Sequence, residues 1–136
     1  MTSKVGKVDK ATISDIYHVS HYCKDIQKHM QETEKFTQPN GFYMRAQRDI
    51  NENVRAILVD WIISVHSKFK LLPETLYLTI NLIDRYFSLF QVRKSDVQLV
   101  GVAALLIATK YEEIYPPTVK DYIYLTDNTY TRQQIL

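Results

Sequence analysis

The longest apolar run in the chain, Val97 to Ala108, is interrupted only by Gln98 and Gly101. A segment that is apolar all round, rather than along one stripe, is expected at the centre of a helical bundle, covered on every side. It is shorter than the ~20 apolar residues that span a bilayer. Gly101, Ala103, Ala104 and Ala108 are small enough to let neighbouring backbones approach. Ser95-Asp-Val-Gln98 has the form of a capping box at its start. The character then changes abruptly: Lys110, Glu112 and Glu113 follow where the core helix surfaces.

The other segments show the spacings of three and four that mark amphipathic helices. Asp15 to Glu34 carries Ile16, Val19, Cys23, Ile26 and Met30 in that pattern, and Pro39-Asn-Gly41 ends it with turn residues. Phe42 to Asp49 reads as an irregular connection. Asn51 or Asn53 can cap a helix running to about Lys70. Around that helix Val54, Ile57, Leu58, Trp61 and Val65 gather on one side, and Ala56, Val59, Ile62 and Ile63 on the other. Asn53, Asp60 and Ser64 form a narrow polar line between them. One apolar side must face the core; the second is either covered by another helix or left as an exposed groove. Leu72-Pro73 opens a helix to about Phe90, with Leu76, Ile80, Ile83, Phe87 and Phe90 as its stripe. Pro116-Pro117 enforces a stop after the central helix. Thr118 with Asp121 caps a short helix to about Leu125, and Thr131-x-x-Gln134 announces one more, just before Leu136.

The predicted fold is therefore all-α. A flexible arm (1–14) precedes an N-terminal helix and connection (15–50), and a bundle occupies 51–136. Three glycines and four prolines among 136 residues leave few positions for hairpins or linkers. Apolar residues at 46% and charged residues at 24% are ordinary for a globular domain. A formal net charge of +2 is too balanced to favour nucleic acid or a membrane surface as the partner. Cys23 stands alone, so no internal disulfide is expected and a reducing compartment suits the chain. Met1 to Lys10 lacks the apolar core of a secretory signal.

Candidate chemistry is sparse. No phosphate-binding glycine loop, nucleophile elbow or His-Glu-x-x-His helix is present, so no catalytic residue, cofactor or enzyme activity is expected. His18, His21, Cys23 and His29 fit no standard zinc spacing, and no metal is expected. Arg55 is the residue that needs explaining, because it sits between the two apolar sides of its helix. An unpaired guanidinium there costs roughly 3–5 kcal/mol. Asp84, at the edge of the next helix's stripe, is the best counter-ion, which makes the pair a structural one; a binding role for Arg55 is the alternative.

Three segments in order, Val54-Arg-Ala-Ile-Leu-Val-Asp-Trp61, Leu82-Ile-Asp-Arg-Tyr-Phe87 and Lys110-Tyr-Glu-Glu-Ile-Tyr-Pro-Pro117, resemble the first cyclin box of mitotic cyclins of the A and B types. Thr126-Asp-Asn-Thr-Tyr-Thr131 continues the match, which runs from Tyr22 to Leu136. The resemblance implies a five-helix bundle around the central helix, preceded by an N-terminal helix. It implies a regulatory subunit that binds and activates a cyclin-dependent serine/threonine kinase at G2/M, in nucleus and cytoplasm. On this analogy Lys110 reaches backbone carbonyls beside the kinase's regulatory helix, with Glu112, Glu113 and Ile114 in or near the contact. Read without the motif, Lys110 is a solvated helix end favoured by the dipole. Ile26, His29 and Met30 match the part of the N-terminal helix that packs on the kinase, although the family more often has Tyr where His29 stands.

The stripe Val54, Ile57, Leu58 and Trp61, with Gln98 and Leu125, resembles the docking patch for Arg-x-Leu motifs of substrates and inhibitors. Ordinary core is the competing reading. Val54 replaces the usual Met, and Ser64 stands where A-type members carry an acid that pairs with the motif's arginine, so a weakened patch is expected. Most of the fifth helix, its glutamate partner for the lysine, and the second cyclin fold do not follow in this sequence. No Arg-x-x-Leu destruction box is seen outside Arg55-Ala-Ile-Leu58. The chain reads as part of a longer mitotic cyclin, with weakened or no kinase activation by these residues alone. Two rival readings are a cyclin-fold adaptor, which would need a basic face for DNA, and a non-activating fragment that occupies docking motifs.

Overall fold

The computed structural model describes residues 20–136. The expected arm 1–14, and Ile16, His18 and Val19 of the first helical segment, lie outside the described residues. Six α-helices follow in order: α1 (Cys23–Thr37), α2 (Glu52–Phe69), α3 (Pro73–Leu89), α4 (Val97–Glu112), α5 (Val119–Leu125) and α6 (Arg132–Ile135). Short 3-10 turns occupy Ser20–Tyr22, Tyr43–Ala46 and Lys94–Asp96. No strand occurs among the described residues. The described residues fall into two units divided after Gln38: α1 belongs to the first and α2 to α6 to the second, Pro39–Leu136.

Helix α1 buries none of its residues. Tyr22 just before it, then Ile26 and Met30, repeat every four residues and all three are exposed, so α1 carries an uncovered apolar line.

In the bundle, α2 begins where the Asn51 side chain accepts a hydrogen bond from the Val54 N–H at 3.1 Å. It ends at Lys70, whose φ of 53° turns the chain out of the helix. Its buried line is Leu58, Ile62 and Val65. That line cuts across the two apolar sides drawn from the sequence: Ile62 is core, while Ile57 and Ile63 are exposed. Helix α3 starts with Pro73 at its first position. It buries Thr75, Thr79, Ile83 and Phe87, whereas Ile80 is half-buried and Phe90, expected in the stripe, is 53% exposed. Two threonines enter the core because their hydroxyls are satisfied there. Thr79 Oγ1 donates to the Thr75 carbonyl at 2.7 Å, and Thr75 Oγ1 to Glu113 Oε1 at 2.6 Å.

Helix α4 packs along α3 and against α2, α5 and α6. It buries Val97, Gly101, Val102, Ala104, Leu105, Leu106, Ala108 and Thr109. The expectation that it is covered on every side is corrected: Leu99, Val100 and Ala103 are half-exposed and Ile107 is 56% exposed. With Leu82 and Tyr86 of α3 these residues line an open apolar trough of about 330 Å³. The expected capping box at Ser95–Gln98 does not form. Lys94–Asp96 wind as a 3-10 turn, so Ser95 Oγ donates to Asp96 Oδ1 at 3.0 Å and Arg93 Nε donates to Asp96 Oδ2 at 2.9 Å instead. The Arg93 guanidinium, with the Ser95 hydroxyl second, holds the Asp96 carboxyl below its ordinary range.

The connection Phe42 to Asp49 is irregular, as expected, apart from the 3-10 turn Tyr43–Ala46, and this segment packs with the bundle. Ile50 is buried, and Tyr43 and Met44 lie against the core. Gln47 stops α3: its Nε2 donates to the Phe87 and Phe90 carbonyls, each at 2.6 Å, while its Oε1 accepts from the Val92 N–H at 3.1 Å. At the other end of the chain, Asp121 accepts the backbone N–H and hydroxyl of Thr118, each at 2.7 Å. Gln134 does the same for Thr131 at 2.9 and 3.1 Å, starting α6. The four residues of α6 bury Ile135.

Candidate binding surfaces of the bundle

Gly101 brings α2 and α4 together. A Cβ on it would lie 2.8 Å from Leu58 Cδ1, so glycine lets the Leu58 side chain rest on the α4 backbone where alanine would make that side chain shift. Beside this contact an apolar groove of about 300 Å³ opens, lined by Val54, Ile57, Leu58, Trp61, Lys94, Val97 and Gln98. The roles of the α2 residues differ. Leu58 is 4% exposed and forms the floor, whereas Ile57 is 70% exposed and forms the rim. Five residues expected in the docking patch thus meet in one groove: Val54, Ile57, Leu58, Trp61 and Gln98. Leu125 does not join them; it is half-buried against the core. Lys94 and Val97 take part without having been singled out in the sequence. Lys94 lies in the 3-10 turn that precedes α4, outside the helical periodicity, so no spacing in the sequence pointed to it.

Beside the groove, Arg55 is tied to α3. Its Nε donates to Asp84 Oδ1 and its Nη2 to Asp84 Oδ2, both at 2.7 Å. Tyr43 adds a third bond, its hydroxyl donating to Asp84 Oδ1 at 2.6 Å. Burial first, and then the bonded carboxylate, push the Tyr43 phenol well above its ordinary value. The bond to Asp84 raises Arg55 against the opposing effect of burial. Both donors therefore stay protonated, and the trio locks α2, α3 and the 39–50 segment together. Tyr43 was missed because its partner lies forty-one residues away.

At the far end of α4, Lys110 is exposed and makes no ion pair among the described residues. Tyr111, Ile114 and Tyr115 around it are also exposed, and Glu112 is half-exposed. Glu113 behaves differently. Its Oε1 accepts the Leu72 N–H at 2.8 Å and the Thr75 hydroxyl at 2.6 Å, capping the start of α3 from outside. Just inside this end, the Thr109 and Tyr122 hydroxyls share a buried bond of 2.6 Å. Burial pushes the Tyr122 phenol up to about 12. In the other unit, Ile26, His29 and Met30 fall on one face of α1 by their spacing of three and four, and all are exposed.

No buried side-chain N or O atom lacks a partner among the described residues, so the bundle interior is satisfied by itself. No group of three or more His, Cys, Asp or Glu side chains is placed to hold a metal ion among them. No helix among them is long and apolar enough to cross a membrane.

The family model "Cyclin, N-terminal domain" matches residues 25–136. The chain belongs to the cyclin family. Among its relatives, mouse Cyclin-A1 is 49% identical over 123 residues, covering 90% of this chain and 29% of the relative. Cyclin-B1-2 of Arabidopsis thaliana is 48% identical over 133 residues, covering 98% of this chain and 30% of the relative. The "G2/mitotic-specific cyclin-A" of Hydra viridissima is 44% identical over 124 residues, covering 91% and 30%. Resemblance to both A- and B-type cyclins is thus shown, and the chain spans about 30% of the length of the curated relatives it matches. Among solved structures, a viral cyclin from herpesvirus saimiri superposes with a TM-score of 0.70 at 24% identity, over 84% of this chain and 48% of that one. That likeness supports the cyclin fold of the chain.

Proposed function

We propose that this cyclin domain is the kinase-binding and substrate-docking part of a non-catalytic regulatory subunit, which binds a cyclin-dependent serine/threonine kinase and favours its active conformation. The observation that carries the reading is Lys110: an exposed ammonium with no ion pair among the described residues, at the end of the bundle's most apolar helix and flanked by uncovered Tyr111 and Ile114. Three N–H donors suit the free carbonyls at a partner's helix end. Glu112 and Ile114 extend that surface, and Ile26, His29 and Met30 of α1 supply a second apolar contact. Glu113 acts indirectly, holding α3 in place. Action at G2/M, in nucleus and cytoplasm, is part of the proposal.

The test is to mix the full-length parent with its kinase and follow phosphorylation of a histone-type substrate. Activation is expected, and Lys110→Ala should weaken kinase affinity at least tenfold. No activation by the wild-type parent would sink the assignment. The groove on α2 is the proposed site for the leucine of Arg-x-Leu segments of substrates or inhibitors, with Leu58 beneath it and Trp61 and Ile57 around it. A second reading, a domain that docks such peptides without activating a kinase, is favoured for residues 1–136 alone by the open trough over Val100, Ala103 and Ile107. Strong activation by this chain alone would refute it.

A further inference from the structure

We infer that two copies of this 136-residue chain pair through the trough on α3 and α4, antiparallel, about a two-fold axis at Ala103. No charged side chain lines the trough, so it suits an apolar helix face. The same chain supplies one. Val100, Ala103 and Ile107 follow at spacings of three and four on one side of α4, with Leu99 beside them. Ala103, at the middle, is small enough to let two helices meet near the short end of the roughly 8–10 Å that separates packed axes. Ile107 projects one turn later and is 56% exposed. A two-fold at Ala103 sets residue 107 of each copy against residue 99 of the other, so each isoleucine lies over the other copy's Leu99.

The charges fix the orientation. Asp96 lies seven residues before Ala103 and Lys110 seven after, so both fall on its side of α4. An antiparallel pair brings Asp96 of one copy to Lys110 of the other, and Arg93 to Glu113. A parallel pair would bring each to its like. Asp96 already accepts from Arg93 and Ser95, one bond on each oxygen. A carboxylate has about four lone-pair sites, so it can take a further donor. Lys94 adds little, because Asp49 is bonded to its backbone N–H at 2.7 Å and offsets its charge. Glu112 points to the opposite side of α4, about 180° from Ala103. Trough and ends offer about a dozen residues per copy, roughly half of a standard interface, so half-association is expected at about 10–100 µM. The α2–α4 groove stays open in such a dimer, since Val97 and Gln98 lie about 120° or more around α4 from Ala103. Lys110 is shared with the proposed kinase surface, but self-association is read without a kinase, so the two readings fail separately.

Sedimentation equilibrium from about 1 to about 300 µM should show the average mass rising from one chain toward two. Ala103→Glu sets like charges face to face on the axis and should raise the half-association concentration at least tenfold, with helicity checked by circular dichroism. Cross-linking tests the register. With Cys23→Ser, so that only introduced thiols couple, Ala103→Cys should form a disulfide-linked dimer under mild oxidation. Leu99→Cys alone should not, because its two copies lie about 12 Å apart along the axes, beyond the roughly 7 Å between Cα atoms that a disulfide spans. Mixed with Ile107→Cys, it should couple. A chain that stays single throughout the range overturns the pairing. So does a dimer indifferent to Ala103→Glu, which would be seated elsewhere, for instance on the apolar line of α1. Leu99→Cys coupling to itself as readily as Ala103→Cys would overturn it too.

Discussion

Asp84→Leu is the perturbation that best tests how the bundle is held together. The Asp84 carboxylate receives three charge-assisted bonds, two from Arg55 at 2.7 Å and one from Tyr43 at 2.6 Å. Its side chain is 12% exposed and that of Arg55 is 33% exposed. Removing one partner of a fully buried pair costs roughly 3–5 kcal/mol, mostly because a charge is left unanswered. Here Arg55 is a third open to water, so its guanidinium recovers some solvation and the cost falls below that range. The stranded Tyr43 hydroxyl adds about 1 kcal/mol. The extra apolar burial of leucine offsets part of the sum. The expected net loss is about 2–3 kcal/mol.

Adding Arg55→Met to Asp84→Leu should recover about 1–2 kcal/mol, because the double variant replaces an ion pair by apolar groups and leaves no unpaired charge. Tyr43→Phe alone should cost about 1 kcal/mol. Urea unfolding followed by far-UV circular dichroism measures all four proteins, with midpoints compared at equal m-values. A loss below about 0.5 kcal/mol for Asp84→Leu, or a double variant no more stable than the single one, would refute the view that this trio fixes α2 against α3.

Three further outcomes follow from the packing. Gly101→Ala gains about 1 kcal/mol of helix propensity, but its Cβ must displace Leu58 Cδ1 from 2.8 Å; overpacking of roughly 1–3 kcal/mol should prevail, and Gly101→Val should cost more. Urea midpoints decide this, and stabilisation by alanine would show that Leu58 can yield freely. Glu113→Ala should destabilise the bundle by about 1–2 kcal/mol through loss of its bonds to Leu72 and Thr75, while Glu113→Gln keeps the accepting oxygen and most of the stability. A thermal melt showing both variants alike would contradict the capping role. Tyr122 ionises at about 12 in the folded chain against an ordinary 10.0. A raised folded value means that its contribution is complete below pH 10 and lost as pH rises toward 12, because the unfolded chain releases the proton first. Absorbance near 295 nm, followed together with circular dichroism as pH rises, should show Tyr122 ionising only with unfolding; a Tyr122 signal that appears while the helices are intact would contradict this.

Periodicity made the helices legible because burying one stripe of a helix leaves a regular mark on the sequence. It could not say which of two neighbouring apolar residues is core. Ile57 and Leu58 belong to the same arc, yet one is rim and the other floor; the difference lies in Gly101 on another helix, which admits Leu58. The core threonines were hidden for a related reason. A hydroxyl reads as polar until its partner is known, and for Thr75 that partner is Glu113, thirty-eight residues on. Tyr43 and Gln47 were likewise set by partners more than thirty-nine residues away, so their segment read as a connection.

The same limit explains why the central helix was misread as buried throughout. An apolar run records which residues tolerate burial, and only the arrangement of the other helices decides which are buried. In α4 the answer differs along its length: the groove opens beside Val97 and Gln98, the trough lies over Val100, Ala103 and Ile107, and Lys110 emerges at the end. Sixteen residues at about 1.5 Å each make a rod of about 24 Å, so the groove and the Lys110 surface are too far apart to compete for one partner segment. On the proposed reading a docked peptide and a kinase can occupy α4 together. Any cooperation between them then arises from tethering the peptide's chain near the kinase, which raises effective concentration without a change in either contact.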